Sequence, residues 1–123
     1  MIRITAGREK IMLTGHAGYA PKGQDIVCAA VSALTENLKC SIERLTHSSV
    51  GFFDDRSHYE IVPYYLDDAG MVLLSSYILG LSDIAETYPK YVQIEAQAWT
   101  AEKAMDEQAW NSLKSTGKQA WNL

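Results

Sequence analysis

One stripe constrains this 123-residue chain more than any other feature: Val27, Val31, Leu34, Leu38, Ile42 and Leu45 recur at steps of three and four. That spacing puts them on one side of an amphipathic helix, with Glu36, Lys39, Glu43 and Arg44 off the apolar face. Asp25 stands where an N-cap is needed. Upstream, Ala17 to Gln24 carries two glycines and Pro21 and reads as a loop. Downstream, His47-Ser48-Ser49 and then Gly51 end the helix near Thr46. A helix with one apolar face requires a second layer to cover it.

The rest of the chain supplies that layer. Met1 to Ala6 alternates with Ile2, Ile4 and Ala6 on one face, Ile11 to Leu13 resumes the apolar run, and Gly7-Arg8-Glu9 between them suggests a hairpin. Glu60 to Leu66 reads as a strand that Pro63 pushes towards an edge or bulge. Asp67 or Asp68 caps a second helix whose stripe is Met71, Leu74, Ile78, Leu81 and Ala85. Gly70 and Gly80 weaken it locally, and Tyr88-Pro89 stops it. Tyr91 to Ala98 alternates again as a last strand. The expectation is an α+β fold: a single two-layer domain over residues 1–99, with a small, mostly antiparallel sheet packed with two main helices. Residues 100–123 form a C-terminal extension, partly helical over Ala101 to Thr116, with Thr100 as cap and Gly117 as stop. Its thin apolar face (Met105, Ala109, Leu113, with Trp110 beside it) suits weak packing or a partner. Trp99, Trp110 and Trp121 read as packing anchors.

A net charge of −4 argues against general attraction to phosphates, so direct nucleic-acid binding is not expected. No apolar run reaches the length of a membrane span and none reads as a signal peptide, so no membrane partner is expected either. Cys28 and Cys40 lie twelve positions apart on the first helix. That is ~18 Å at 1.5 Å per residue, beyond disulfide reach. Free thiols fit a reducing, cytoplasmic compartment.

Cys28 is the candidate nucleophile. It sits about 100° off the Val27–Val31–Leu34 stripe, on a face shared with Ser32, Thr35 and Lys39, at the third helical position after Asp25. A small buried hydrophobe is the commoner fate of a helical cysteine, but that offset speaks against it. An ordinary thiol of pKa ~8.5 is only ~3 % thiolate at pH 7. A helix terminus contributes ~0.3–1 kcal/mol, too little to ionise it, so a nucleophilic cysteine needs an imidazole beside it. His16, twelve positions earlier at a strand end, is the candidate. Ala17-Gly18 after it leaves room for a substrate backbone. His47 and His58 look like ordinary helix-end and loop residues. Asp25 suits capping better than orienting the imidazole, because a carboxylate near Cys28 opposes the thiolate. Ser32, one turn beyond, either hydrogen-bonds within the site or bonds back to a helix carbonyl. Gly15 and Gly23 serve backbone geometry. Three scattered histidines and two cysteines on one helix match no structural zinc pattern, and no metal or organic cofactor is expected.

Gly15-His16-Ala17-Gly18-Tyr19-Ala20 followed by Gly23-Gln24-Asp25-Ile26-Val27-Cys28-Ala29-Ala30-Val31-Ser32-Ala33-Leu34 resembles the signature of the ribosomal-processing cysteine protease family, Prp. Gly80-Leu81 and Tyr88-Pro89-Lys90-Tyr91-Val92 are similar to the family's second-helix end and last strand. The resemblance covers roughly residues 1 to 98. It implies a small α+β homodimer whose Cys/His pair removes a short N-terminal extension from the large-subunit ribosomal protein L twenty-seven, cutting after an aromatic pair. Related enzymes trim phage capsid or scaffold proteins. By motif, His16 and Cys28 are the catalytic pair, Asp25 and Ser32 match family positions, and Gly18 to Gly23 matches a mobile segment over the site. The tail after Thr100 runs longer than the family pattern.

The expected function is a cysteine endopeptidase with a protein substrate. Backbone amides of the first helical turn, including that of Cys28, are the expected oxyanion donors. Two rivals stand beside it: a ribosome-associated binding protein in which Cys28 is incidental, and a thiol redox sensor. Cleavage by Cys28 variants separates the first, and the effect of His16→Ala on alkylation and cleavage separates the second.

Overall fold

The computed structural model describes residues 1–7 and 9–96. The extension over 100–123, its helix, the three tryptophans and the end of the last strand lie outside the described residues. The elements run β1 (Ile2–Ala6), β2 (Ile11–Thr14), α1 (Ile26–Leu45), β3 (Ser49–Asp55), β4 (His58–Tyr65), α2 (Asp68–Thr87) and β5 (Val92–Glu95). The strands form one sheet in the order β3-β4-β2-β1-β5. All neighbours are antiparallel except β1 and β5, which run parallel. This is the expected α+β arrangement.

Period-two alternation gives the sheet one apolar face. Ile2, Ile4, Ala6, Ile11, Leu13, Ile61 and Val92 are buried on it, and they join one core with Val27, Val31, Leu38 and Ile42 of α1 and Leu74, Tyr77, Ile78 and Leu81 of α2. The two helices are also tied by a buried polar contact. The Tyr77 hydroxyl and Thr35 Oγ1 lie 2.8 Å apart, and Thr35 Oγ1 donates to the Val31 carbonyl at 2.8 Å. Burial pushes the Tyr77 phenol up to about 12, so it stays a neutral hydrogen-bonding group.

Three expectations need correction. β3 is a strand without a sequence signature: its seven residues are half-buried or exposed, and Gly51 with two aspartates hides the alternation. Full pairing with β4 holds it, from Val50 opposite Pro63 to Asp55 opposite His58. The two-residue connection lacks the usual glycine, and Arg56 takes the left-handed conformation at φ 53. Gly70 and Gly80 are not merely weak points in α2. A Cβ at Gly70 would strike Ser48 Oγ, and one at Gly80 would stand 3.0 Å from Leu34 Cδ1, so both allow close packing. Finally, α2 is long and apolar enough to cross a membrane by composition alone, with a mean hydropathy of 1.2. Its stripe is instead packed into the core described above.

Pro63 behaves as its chemistry demands. β4 lies between β3 and β2, but β2 pairs only His58 to Ile61. Pro63 falls beyond that segment, beside a register shift at Ser49/Val50, where its missing N–H interrupts no ladder on the β2 side.

Candidate active site

The site forms where β2 leaves the sheet and meets the first turn of α1. Gly15 ends β2 with φ +87 and packs its α-carbon against the Met1 carbonyl oxygen, a place no side chain fits. Its N–H donates to the Ser57 carbonyl at 2.8 Å. This fixes the direction in which His16 leaves the sheet. Next along, Ala17 is buried at 3 % exposure, and its N–H donates to Cys28 Sγ at 3.3 Å. The residue after His16 is thus bonded to the sulfur, which fastens the end of β2 to the candidate nucleophile across eleven residues of sequence.

Two clefts open beside this contact, and His16, Cys28 and Ser32 line both. One, of about 250 Å³, also involves Gly15, Thr35, Glu36 and the β3–β4 turn. The other, of about 770 Å³, lies beneath the loop from Gly18 to Gln24. His16 is exposed and Cys28 half-buried. Both residues therefore border the same two clefts.

Asp25 is a cap and a clasp. Its Oδ1 accepts from the N–H groups of Val27 at 3.0 Å and Cys28 at 2.9 Å, and its Oδ2 accepts from the Tyr19 N–H at 3.1 Å. The bond from Cys28 foremost, and then that from Tyr19, hold the carboxyl below its ordinary range. The first-turn amides of Val27 and Cys28 are therefore already engaged, which corrects their expected role as oxyanion donors. The Ala17 N–H, by contrast, is directed at the sulfur itself. Asp25 also restrains the loop. The Tyr19 ring packs edge-on against Tyr88 at 5.9 Å and Tyr91 at 5.1 Å between centroids, so the segment over the site is anchored by backbone and by ring.

Ser32 is exposed on both clefts. Gly18 and Gly23 line the larger cleft and Gly15 the smaller. His47 lies away from the site, at the α2 cap, where its N–H donates to Asp67. His58 does not behave as an ordinary loop residue. It begins β4, lines the smaller cleft, and places Nε2 3.2 Å from Glu60 Oε1. Glu36, Asp54 and Tyr59 line the same cleft. No local pattern singled these residues out, because they meet only through sheet pairing. Among the described residues, no group of three or more His, Cys, Asp or Glu side chains is arranged to hold a metal ion.

The sequence profile of the family described as cysteine protease Prp matches residues 1–93. The ribosomal processing cysteine protease Prp of Mycoplasma pneumoniae is 30 % identical over 99 residues, covering 79 % of this chain and 96 % of that protein. Among solved structures, an essential ribosomal processing protease Prp from S. aureus, in complex with a covalently linked product peptide, superposes with a TM-score of 0.69. It is 25 % identical and covers 76 % of this chain and 95 % of its own. A Streptococcus mutans protein superposes with a TM-score of 0.63 at 32 % identity, covering 76 % of this chain and 90 % of its own.

Proposed function

This chain belongs to the cysteine protease Prp family, and from that membership we propose that it removes a short N-terminal extension from the large-subunit ribosomal protein L twenty-seven. It is a cysteine protease, a hydrolase of peptide bonds. In the proposed reaction Cys28 is the nucleophile and His16 the general base and acid. His16 takes the proton of Cys28, the thiolate attacks the scissile carbonyl to form a thioester, and the protonated imidazole delivers that proton to the leaving amine. Water then hydrolyses the thioester with His16 again as base. The Ala17 N–H is the proposed donor to the oxyanion. The relatives named for ribosomal processing support the substrate, and the peptide-bound S. aureus structure supports peptide binding in this fold. The same reading places the enzyme in the cytoplasm as a homodimer.

The observation that carries the mechanism is the 3.3 Å bond from Ala17 N–H to Cys28 Sγ, which joins the His16 segment to the sulfur. The test is cleavage of a peptide spanning the extension junction, with products identified by mass spectrometry. Wild-type protein is expected to cut once, and Cys28→Ala and Cys28→Ser to leave the peptide intact. Wild-type protein that binds the peptide without cutting it would favour a non-catalytic binding role. Cleavage of phage capsid or scaffold junctions in preference to the ribosomal one would move the substrate to that class.

A further inference from the structure

The two clefts that meet at Cys28 differ in chemistry. The one beneath the loop is walled mainly by Gly18, Ala20, Gly23, Ile26 and Ala29, small or apolar residues, with Lys22 and Asp25 adding opposite charges that cancel. The other runs along α1 from Cys28 past Ser32 and Thr35 to Glu36, and its facing wall carries Asp54, Arg56 and His58. Glu36 is two turns beyond Cys28, ~12 Å along the axis at 1.5 Å per residue. An extended peptide covers that distance in about three to four residues.

We propose that Glu36 and Asp54 are specificity-determining residues that select a lysine or arginine side chain of the substrate, three or four residues from the scissile bond on the side away from the loop. The inference deepens the protease reading and rests on it. The two carboxylates gain this role from position: they come from separate elements, α1 and β3, yet both wall the cleft that holds the nucleophile. Both are exposed. The ion pairs among the described residues are those of Glu60 with Lys10 and His58, so neither Glu36 nor Asp54 has a bound cation there. Their fields converge on the cleft wall: after burial, Glu36 and then Asp54 push the Tyr59 phenol above its ordinary value. Arg56 stands on the same wall without pairing to either, which leaves the arm one net negative charge. A chain threading both clefts therefore meets a largely apolar lining without net charge on one side of the cut and a net anionic one on the other.

The test uses the full chain and peptides carrying an aromatic pair at the cut, with Lys, Gln or Glu scanned across four positions on each side. At low salt kcat/KM is expected to favour Lys over Gln by about three- to five-fold, the scale of a solvent-exposed charge pair. The preference should appear three or four residues away, on one side only, and shrink as salt is added. The Glu36→Gln, Asp54→Asn double variant should lose the Lys-to-Gln ratio, and Glu36→Lys with Asp54→Lys should turn it towards Glu. Binding of the same peptides to Cys28→Ala, read by fluorescence anisotropy, should follow the same order. Charge-blind rates at every position, with cleavage still dependent on Cys28, would overturn this inference and leave the protease reading standing. Absence of any cut by folded wild-type protein would overturn the protease reading, and anisotropy with Cys28→Ala would still decide the charge preference.

Discussion

The first turns of α1 and α2 are built alike, yet only one of them borders a cleft that suits catalysis. Each follows an aspartate whose carboxylate caps the helix, and the third helical residue donates its N–H to Oδ1, Cys28 at 2.9 Å and Gly70 at 2.8 Å. Each carboxylate also reaches back along the chain with Oδ2, Asp25 to the Tyr19 N–H at 3.1 Å and Asp67 to the His47 N–H at 2.8 Å. Both acids sit below their ordinary range, Asp25 chiefly through the Cys28 amide and Asp67 chiefly through the Ser48 hydroxyl. At α2 the third position is buried and closed by Ser48, with no room for a side chain. At α1 it is half-buried, open to two clefts, and met by the Ala17 N–H at 3.3 Å. Cap and helix dipole are common to both ends, so they do not distinguish the site. The strand that arrives beside the sulfur does.

The largest effect follows from removing what that strand brings. His16→Ala is expected to lower kcat/KM by about 10²- to 10⁴-fold, the usual contribution of general acid–base catalysis, while circular dichroism stays unchanged. The same variant should erase a difference in thiol reactivity. Near pH 7 iodoacetamide should modify Cys28 about tenfold faster than Cys40 in wild-type protein, although Cys40 is the more exposed of the two. If Cys28 stays the faster thiol without His16, cap and dipole suffice and the contrast between the helix ends fails.

The third positions should also respond oppositely in stability. Gly70→Ala drives a methyl group into Ser48 and should cost ~1–3 kcal/mol by urea unfolding, the scale of overpacking a closed site. Cys28→Ala, at an open position, should cost less than about 1 kcal/mol. Comparable losses would mean that the first turn of α1 is as tightly packed as that of α2.

The smallest effect concerns the caps. Each carboxyl titrates lower in the folded protein than in the unfolded chain, so its stabilisation is complete above the unfolded value, about pH 4, and is lost as the pH falls through the folded value. Thermal midpoints of wild-type protein should therefore drop on acidification below about pH 4. Asp25→Asn and Asp67→Asn should start a few degrees lower and fall less over that interval. Asp67→Asn should show the larger change, because Ser48 and His47 are both anchored to Asp67.

Much of this molecule was legible from residue order because the signals are local. The α1 stripe as far as Ile42, the cap at Asp25, the irregular loop and the offset of Cys28 from the apolar face all follow from periods and turn chemistry acting over a few residues, whereas Leu45, expected to continue the stripe, is 70 % exposed at the helix end. The helix stop at Tyr88-Pro89 is legible for the same reason. β3 was hidden because its partner, rather than an apolar pattern of its own, holds it in place. Asp54, Arg56 and His58 stand at the cleft because of that hairpin, and Glu36, part of a solvated helix face by its sequence pattern, borders the same cleft.

The sequence by itself determined the two helices, most of the sheet, and the His16 and Cys28 residues that resemble a protease signature, since each depends on short-range spacing. Tertiary structure alone decided that the Cys28 N–H is held by Asp25, that the Ala17 N–H points at the sulfur, and which distant acids share the cleft. Those matters depend on the direction in which groups point after strands pair. A pairing between residues 49–55 and 58–65, or a hydrogen bond spanning eleven residues, leaves no periodic trace in the chain.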